Sequence, residues 1–214
     1  MPALLLLFRN NRWFFVPYGG VLLIVGTLQL LYSQTQLMQW VNARNSPEAD
    51  LFFTYATYLG DGAFFVIACV VMLIYNWRTG LLAVASFAVS SLTSLFLKTV
   101  VFSGSPRPLR YFEHSINEYH LIEGLDIYSY NSFPSGHTIS AFAVFSLWAF
   151  IDGRKNRGWF FLLLGILTGY SRVYLFQHFV EDVFVGSLIG TASSVLVYWG
   201  LYDWLQTVRL KRKL

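Results

Sequence analysis

The sequence predicts an all-α polytopic membrane protein with about six transmembrane helices, and three observations carry that prediction. Of the 214 residues, 56% are apolar and 12% charged, a balance far outside that of an ordinary soluble domain. Apolar runs approaching the roughly 20 residues needed to cross about 30 Å of hydrocarbon recur along the chain. Basic residues collect in alternate connections between those runs, as orientation in a bilayer requires.

The first run, Trp13 to Tyr32, follows Arg9 and Arg12 and carries aromatics at both ends, as an interfacial helix boundary does. It is aromatic-rich and is not followed by a small-x-small cleavage site, so it reads as a retained helix and not a signal peptide. The second runs to Tyr75 from either Phe52 or Ala63, because Asp61-Gly62 interrupts it. Asp61 there reads as a helix cap or interfacial group. Cys69 is the only cysteine and lies in an apolar run, which excludes an intramolecular disulfide and a thiolate metal cluster. The third run, Leu81 to Phe102, is rich in Ala and Ser. The fourth covers Thr138 to Ile151, the fifth Trp159 to Tyr174 and the sixth Phe179 to Trp204, which contains Gly186-x-x-x-Gly190 and then Thr191 to Ser194. Small residues of this kind let membrane helices approach closely. Between the third and fourth runs, residues 103–133 interleave Tyr111, Phe112, Tyr119, Tyr128 and Tyr130 with polar groups and read as an ordered loop at the outer interface. The whole chain, 1–214, reads as one domain.

With the N-terminus cytoplasmic and six helices following, Arg9, Arg12, Arg78, Arg154, Lys155, Arg157, Arg209, Lys211, Arg212 and Lys213 all face the cytoplasm. The net charge of +4 is then a matter of topology and not of nucleic-acid binding. The same topology sends Lys98, His137, Arg172, His178 and Asp182 to the opposite, outer face, although they come from four different helices. That convergence marks a site.

Its residues suit phosphoryl transfer. Lys98, Arg107 and Arg172 supply positive charge, the arginines as planar forks and the lysine as a point charge. Ser135 and Gly136 precede an apolar run, so their backbone N–H groups are expected to open the fourth helix, where unpaired donors favour an anion. His178 and Asp182 are four apart, which on a helix places them on one face, with one ring nitrogen held by the carboxylate and the other free to attack phosphorus. His137 is then the acid that protonates the leaving oxygen. His114 and His120 lack patterned neighbours and read as hydrogen-bonded interfacial residues.

These residues resemble the three motifs of the type-2 phosphatidic acid phosphatase superfamily: Lys-x6-Arg-Pro, Pro-Ser-Gly-His and Ser-Arg-x5-His-x3-Asp. The second matches Pro134 to His137 and the third matches Ser171, Arg172, His178 and Asp182 in full. The resemblance implies a membrane lipid phosphatase with His178 as nucleophile, Asp182 as its orienting partner and His137 as acid. Lys98, Arg107, Arg172, Ser135 and Gly136 are then phosphate ligands, and no metal or other cofactor is implied. The first motif departs from the pattern, since eight residues and not six separate Lys98 from Arg107. Either the loop at Ser103-Gly104-Ser105 absorbs the excess, or Lys98 sits about half a turn too deep.

The expected activity is hydrolysis of a lipid phosphate or polyprenyl pyrophosphate at the outer face of a bacterial inner membrane, with both termini cytoplasmic. Phosphatidic acid, phosphatidylglycerol phosphate, undecaprenyl pyrophosphate and lipid A phosphates all present the terminal phosphoryl group that these motifs contact. A transporter or binder of anionic headgroups is the alternative, but a binder has no need of a His-x3-Asp pair opposite a second histidine. Haloperoxidases carry a similar constellation on soluble proteins, which the apolar helices here oppose.

Overall fold

The structure, a computed structural model, describes residues 3–210 and is helical throughout, with no strand among them. Ten α-helices follow one another: α1 (Ala3–Asn10), α2 (Arg12–Leu31), α3 (Gln34–Asn42), α4 (Pro47–Ala56), α5 (Gly62–Tyr75), α6 (Trp77–Phe96), α7 (Pro108–Tyr111), α8 (Gly136–Ile151), α9 (Gly158–Tyr174) and α10 (Val180–Leu210). Their starts are set locally. Ser46, Asp61, Asn76 and Ser135 each accept a backbone N–H through the side chain at the first turn of α4, α5, α6 and α8. Lys211, Arg212 and Lys213, expected on the cytoplasmic side, lie outside the described residues.

Three helical stretches are long and apolar enough to cross a membrane: Arg12–Leu31, Trp77–Val101 and Val180–Leu201. The expected second span is broken. Pro47–Gly60 and Gly62–Tyr75 meet at 53°, and the interruption at Asp61-Gly62 seen in the sequence is that bend. Asp61 is a cap, as expected, its Oδ1 accepting from the Ala63 amide at 2.7 Å. The expected fourth and fifth spans are α8 and α9, of 16 and 17 residues. The third expected span continues past α6 through a π-helical turn, Leu97–Val101.

α8 is the axis of the fold. Eleven of its sixteen residues are buried, so it is enclosed by α6, α9 and α10. Gly186 and Gly190 allow that enclosure: a Cβ on Gly190 would stand 2.3 Å from the Ile139 carbonyl oxygen, and one on Gly186 would stand 3.0 Å from that of Ser135. Polar stitches replace part of the apolar drive that a bilayer cannot provide. Ser194 donates to the Ala143 carbonyl at 2.6 Å, and its hydroxyl lies 2.7 Å from that of Ser86, joining α10, α8 and α6. At one end of the bundle Gly158 packs directly on Trp13 and Phe14, which sets the start of α2 against the basic turn Lys155–Arg157. The catalytic candidates lie at the other end.

The 103–133 loop is ordered, as expected. Phe112 is buried with Met38, Val173, Phe176 and Phe179 in a small core of its own, while Tyr111 stays exposed. His120 bonds to Asp50 at 2.8 Å and His114 lies 3.4 Å from Glu113, so both sit outside the catalytic cluster.

Candidate active site

His178 and Asp182 pair, although not as two residues on one helical face. His178 lies in the turn before α10, and Asp182 is in that helix's first turn. Phe179 takes the capping position, and Asp182 Oδ2 accepts its backbone N–H at 2.8 Å, the side-chain-to-cap half of a capping box. The same oxygen lies 3.2 Å from His178 Nδ1 and accepts from the Ser132 hydroxyl at 2.5 Å. Ser132 Oγ is also 3.4 Å from His178 Nδ1. All three residues are about 1% exposed, so the carboxylate is held by three donors in a dry setting and the ring's Nε2 is turned to its other side.

Burial first, and then Arg107, Arg172, Lys98 and His137, push the His178 ring well below the ordinary histidine range. The ring is therefore neutral at neutral pH, with a lone pair on Nε2. Both histidines and all three cations thus act on one another at a single place in the structure.

Each cation is fixed differently. Arg172 is buried in the last turn of α9, and its NH1 donates to Thr57 Oγ1 at 2.8 Å. Its Nε is a buried donor with no hydrogen-bond acceptor, an arrangement that fits an anionic oxygen. Arg107 bonds through Nε to the Tyr130 carbonyl at 2.9 Å and through NH1 to Gln177 Oε1 at 3.0 Å, and its guanidinium lies 5.3 Å from the Tyr128 ring centroid. Lys98 reaches the Asn131 carbonyl at 2.7 Å. Between Lys98 and Arg107 the chain makes a π turn, Leu97–Val101, and a loop in which Gly104 has φ +75°. The lysine reaches the first turn of α8, its Cε lying 3.7 Å from where a Cβ of Gly136 would stand.

The expected anion donors at the start of α8 need one correction. The Ser135 amide donates to the Asp182 carbonyl at 3.0 Å, because α10 packs across the start of α8, and it is not available to a ligand. Ser135 Oγ accepts from Thr138 Oγ1 at 2.9 Å, which leaves its own proton for another acceptor. The amides of Gly136 and His137 occupy the first helical positions, where no acceptor exists within the helix. His137 is part-exposed, and its Nε2 lies 3.8 Å from Asp61 Oδ2.

Sequence reasoning missed Ser132, Gln177 and Thr57. Ser132 stands two residues before Pro134, and Gln177 directly before His178, so motif proximity was a usable signal for both. Thr57 sits 115 residues from the arginine it binds, and nothing local marks it.

The sequence model of the PAP2 superfamily matches residues 79–206, a stretch that contains Lys98 through Asp182. The chain is 40% identical over 70 residues to the bacitracin transport permease protein BcrC of Bacillus licheniformis, covering 32% of this chain and 33% of that protein. It is 36% identical over 75 residues to the undecaprenyl-diphosphatase BcrC of Bacillus subtilis (strain 168), covering 35% of this chain and 37% of that one. The matched stretch spans about a third of the length of these curated relatives. Among solved structures, Aquifex aeolicus LpxE superposes with a TM-score of 0.63 at 27% identity, over 76% of this chain and 93% of that one. A transmembrane PAP2 type phosphatidylglycerolphosphate phosphatase from Bacillus subtilis gives a TM-score of 0.64 at 23% identity, over 92% and 96%, a likeness of fold.

Proposed function

The chain belongs to the PAP2 superfamily and is an integral membrane protein, and on that premise we propose that it hydrolyses a lipid phosphate or polyprenyl pyrophosphate through a phosphohistidine. One observation carries the reading. A buried, neutral His178, locked through Nδ1 on Asp182, sits among three cations, one of which holds a buried donor without an acceptor.

In the first step His178 Nε2 attacks phosphorus as the bond to the lipid oxygen breaks, and that oxygen takes a proton from His137. Asp182 stabilises the positive ring that results. Arg172, Arg107, Lys98 and the amides of Gly136 and His137 neutralise the charge on the equatorial oxygens. In the second step water attacks phosphorus, His137 accepts its proton, the N–P bond breaks and orthophosphate leaves. Cations and a helix N-terminus supply the electrostatic stabilisation, so no divalent metal is required.

The arrangement in the bilayer follows from the same reading. α2, α5, α6, α8, α9 and α10 are the six crossings, with the basic turns cytoplasmic and the site on the outer face of a bacterial inner membrane. A relative's name as a transport permease favours transport as a second reading. Purified protein in detergent separates the two: in EDTA it should release orthophosphate from a lipid phosphate or pyrophosphate, and radiolabelled substrate quenched in alkaline detergent, where an N–P bond survives, should leave phosphate on wild type but not on His178→Ala. Binding without release, or release only with added Mg²⁺, would overturn the proposal.

A further inference from the structure

We propose that Asp61, at the break between α4 and α5, is the positioning carboxylate of His137, so that the site contains two histidine–carboxylate pairs and not one. This inference rests on the assignment of His137 as the proton donor.

Asp61 divides its two oxygens between two tasks. Oδ1 caps α5 at the Ala63 amide, 2.7 Å away, while Oδ2 faces His137 Nε2 at 3.8 Å. That separation is a charge contact and not a hydrogen bond. The contrast with the first pair is chemical. His178 and Asp182 are dry and 3.2 Å apart, suited to a ring that must stay oriented and neutral until it attacks. Asp61 and His137 are 41% and 32% exposed, suited to a ring that gives up a proton and takes one back. A proton on His137 would share the site with the like charges of Lys98, Arg107 and Arg172, and Asp61 is the opposite charge whose oxygen faces the ring. Asp182 is already occupied by Ser132, Phe179 and His178. Asp61 therefore supplies a counter-charge that the catalytic motifs do not, and it lies outside the stretch matched by the family, residues 79–206.

The fold delivers Asp61 to this place on purpose-built geometry. A 3-10 turn, Thr57–Gly60, ends α4. A Cβ on Gly60 would stand 2.5 Å from the His137 carbonyl oxygen and 2.5 Å from Thr168 Cγ2, so only glycine lets that turn lie against the first turn of α8. The same turn carries Thr57, which bonds to Arg172. One short segment thus touches both the proton donor and a phosphate cation.

The test uses Asp61→Asn and Asp61→Ser, which keep a capping oxygen for Ala63 but remove the charge. With a lipid phosphate, kcat should fall about tenfold or more while KM stays within about twofold, since only the proton transfer is weakened. With p-nitrophenyl phosphate, whose leaving group departs without a proton, the pre-steady-state burst of p-nitrophenolate, which reports the first step alone, should stay within about threefold in rate. Asp61→Asn added to His137→Ala should be no slower than His137→Ala alone. Thermal midpoints near that of wild type would show the cap intact. Wild-type kcat on the lipid in both Asp61 variants, or a further loss on top of His137→Ala, would overturn the role of Asp61 alone. If His137→Ala itself slowed that burst as much as it slowed lipid turnover, the proton-donor assignment would fall, and the role of Asp61 with it.

Discussion

Replacing Gly60 by Ala tests whether the broken helix pair positions the site. The new methyl would stand 2.5 Å from two atoms that cannot swing away, a backbone carbonyl oxygen of α8 and a γ-methyl of α9. To reach 3.4 Å, where ordinary contact begins, the 3-10 turn must retreat by about 0.9 Å. The Thr57–Arg172 hydrogen bond of 2.8 Å would then stretch to about 3.7 Å, beyond hydrogen-bonding range, and Asp61 would move away from His137 by a similar amount. Overpacking of this kind costs about 1 to 3 kcal/mol, and a displacement near 1 Å at catalytic groups costs up to about 10² in rate. Gly62→Ala is the matched control. It lies on the other side of Asp61, and a Cβ there meets nothing within 4 Å. Turnover of a lipid phosphate and thermal midpoint, both in detergent, should fall for Gly60→Ala and hold for Gly62→Ala. Equal behaviour of the two variants would refute the claim that close packing of this turn on α8 organises the site.

The remaining predictions address pH, the loop and topology. His178 is neutral when folded and titrates near 6.5 when unfolded, so its contribution to stability is complete above that pH and is lost as pH falls below it, by up to about 1.4 kcal/mol per unit. The thermal midpoint of wild type should drop more between pH 7 and 5 than that of His178→Gln, and parallel curves would contradict the buried neutral ring. Tyr111 lines a cavity of about 270 Å³ that also reaches Ser132, Phe133 and Asp182, whereas Phe112 is buried in the loop's core. Tyr111→Ala should therefore slow long-chain lipid turnover more than that of a short soluble phosphate, and Phe112→Ala should lower stability by about 3 kcal/mol or more; a Tyr111→Ala loss equal on both substrates would assign it a folding role. With Cys69 replaced, a cysteine at Glu118 should react with an impermeant reagent in intact cells and one at Asn156 should not, and the reverse pattern would invert the proposed orientation.

Much of the fold was legible because the signals were local. Apolar runs fixed α2, α6 and α10, Asp61-Gly62 marked the break, and Gly186 with Gly190 marked the helix contact that encloses α8. The histidines and cations of the site were legible as types at motif spacing. Their convergence at one end of the bundle followed from counting crossings, and the structure brings them together. The pairing of His178 with Asp182 was anticipated from a spacing of four, yet its cause is different: the aspartate closes on the cap of α10, and the histidine stands outside the helix.

What the sequence by itself determined is therefore a membrane helical bundle and a phosphate-directed set of side chains, since hydropathy, caps and motif spacings act within a few residues of chain. Tertiary structure alone decided which donors are still available and which distant residues complete the site. The Ser135 amide is consumed by the Asp182 carbonyl, Ser132 anchors that carboxylate, and Thr57 and Asp61 reach Arg172 and His137 from another helix pair. No local pattern encodes those contacts, because each joins segments far apart in the chain, and Gly60 and Gly186 let two of the helix pairs approach closely enough to make them.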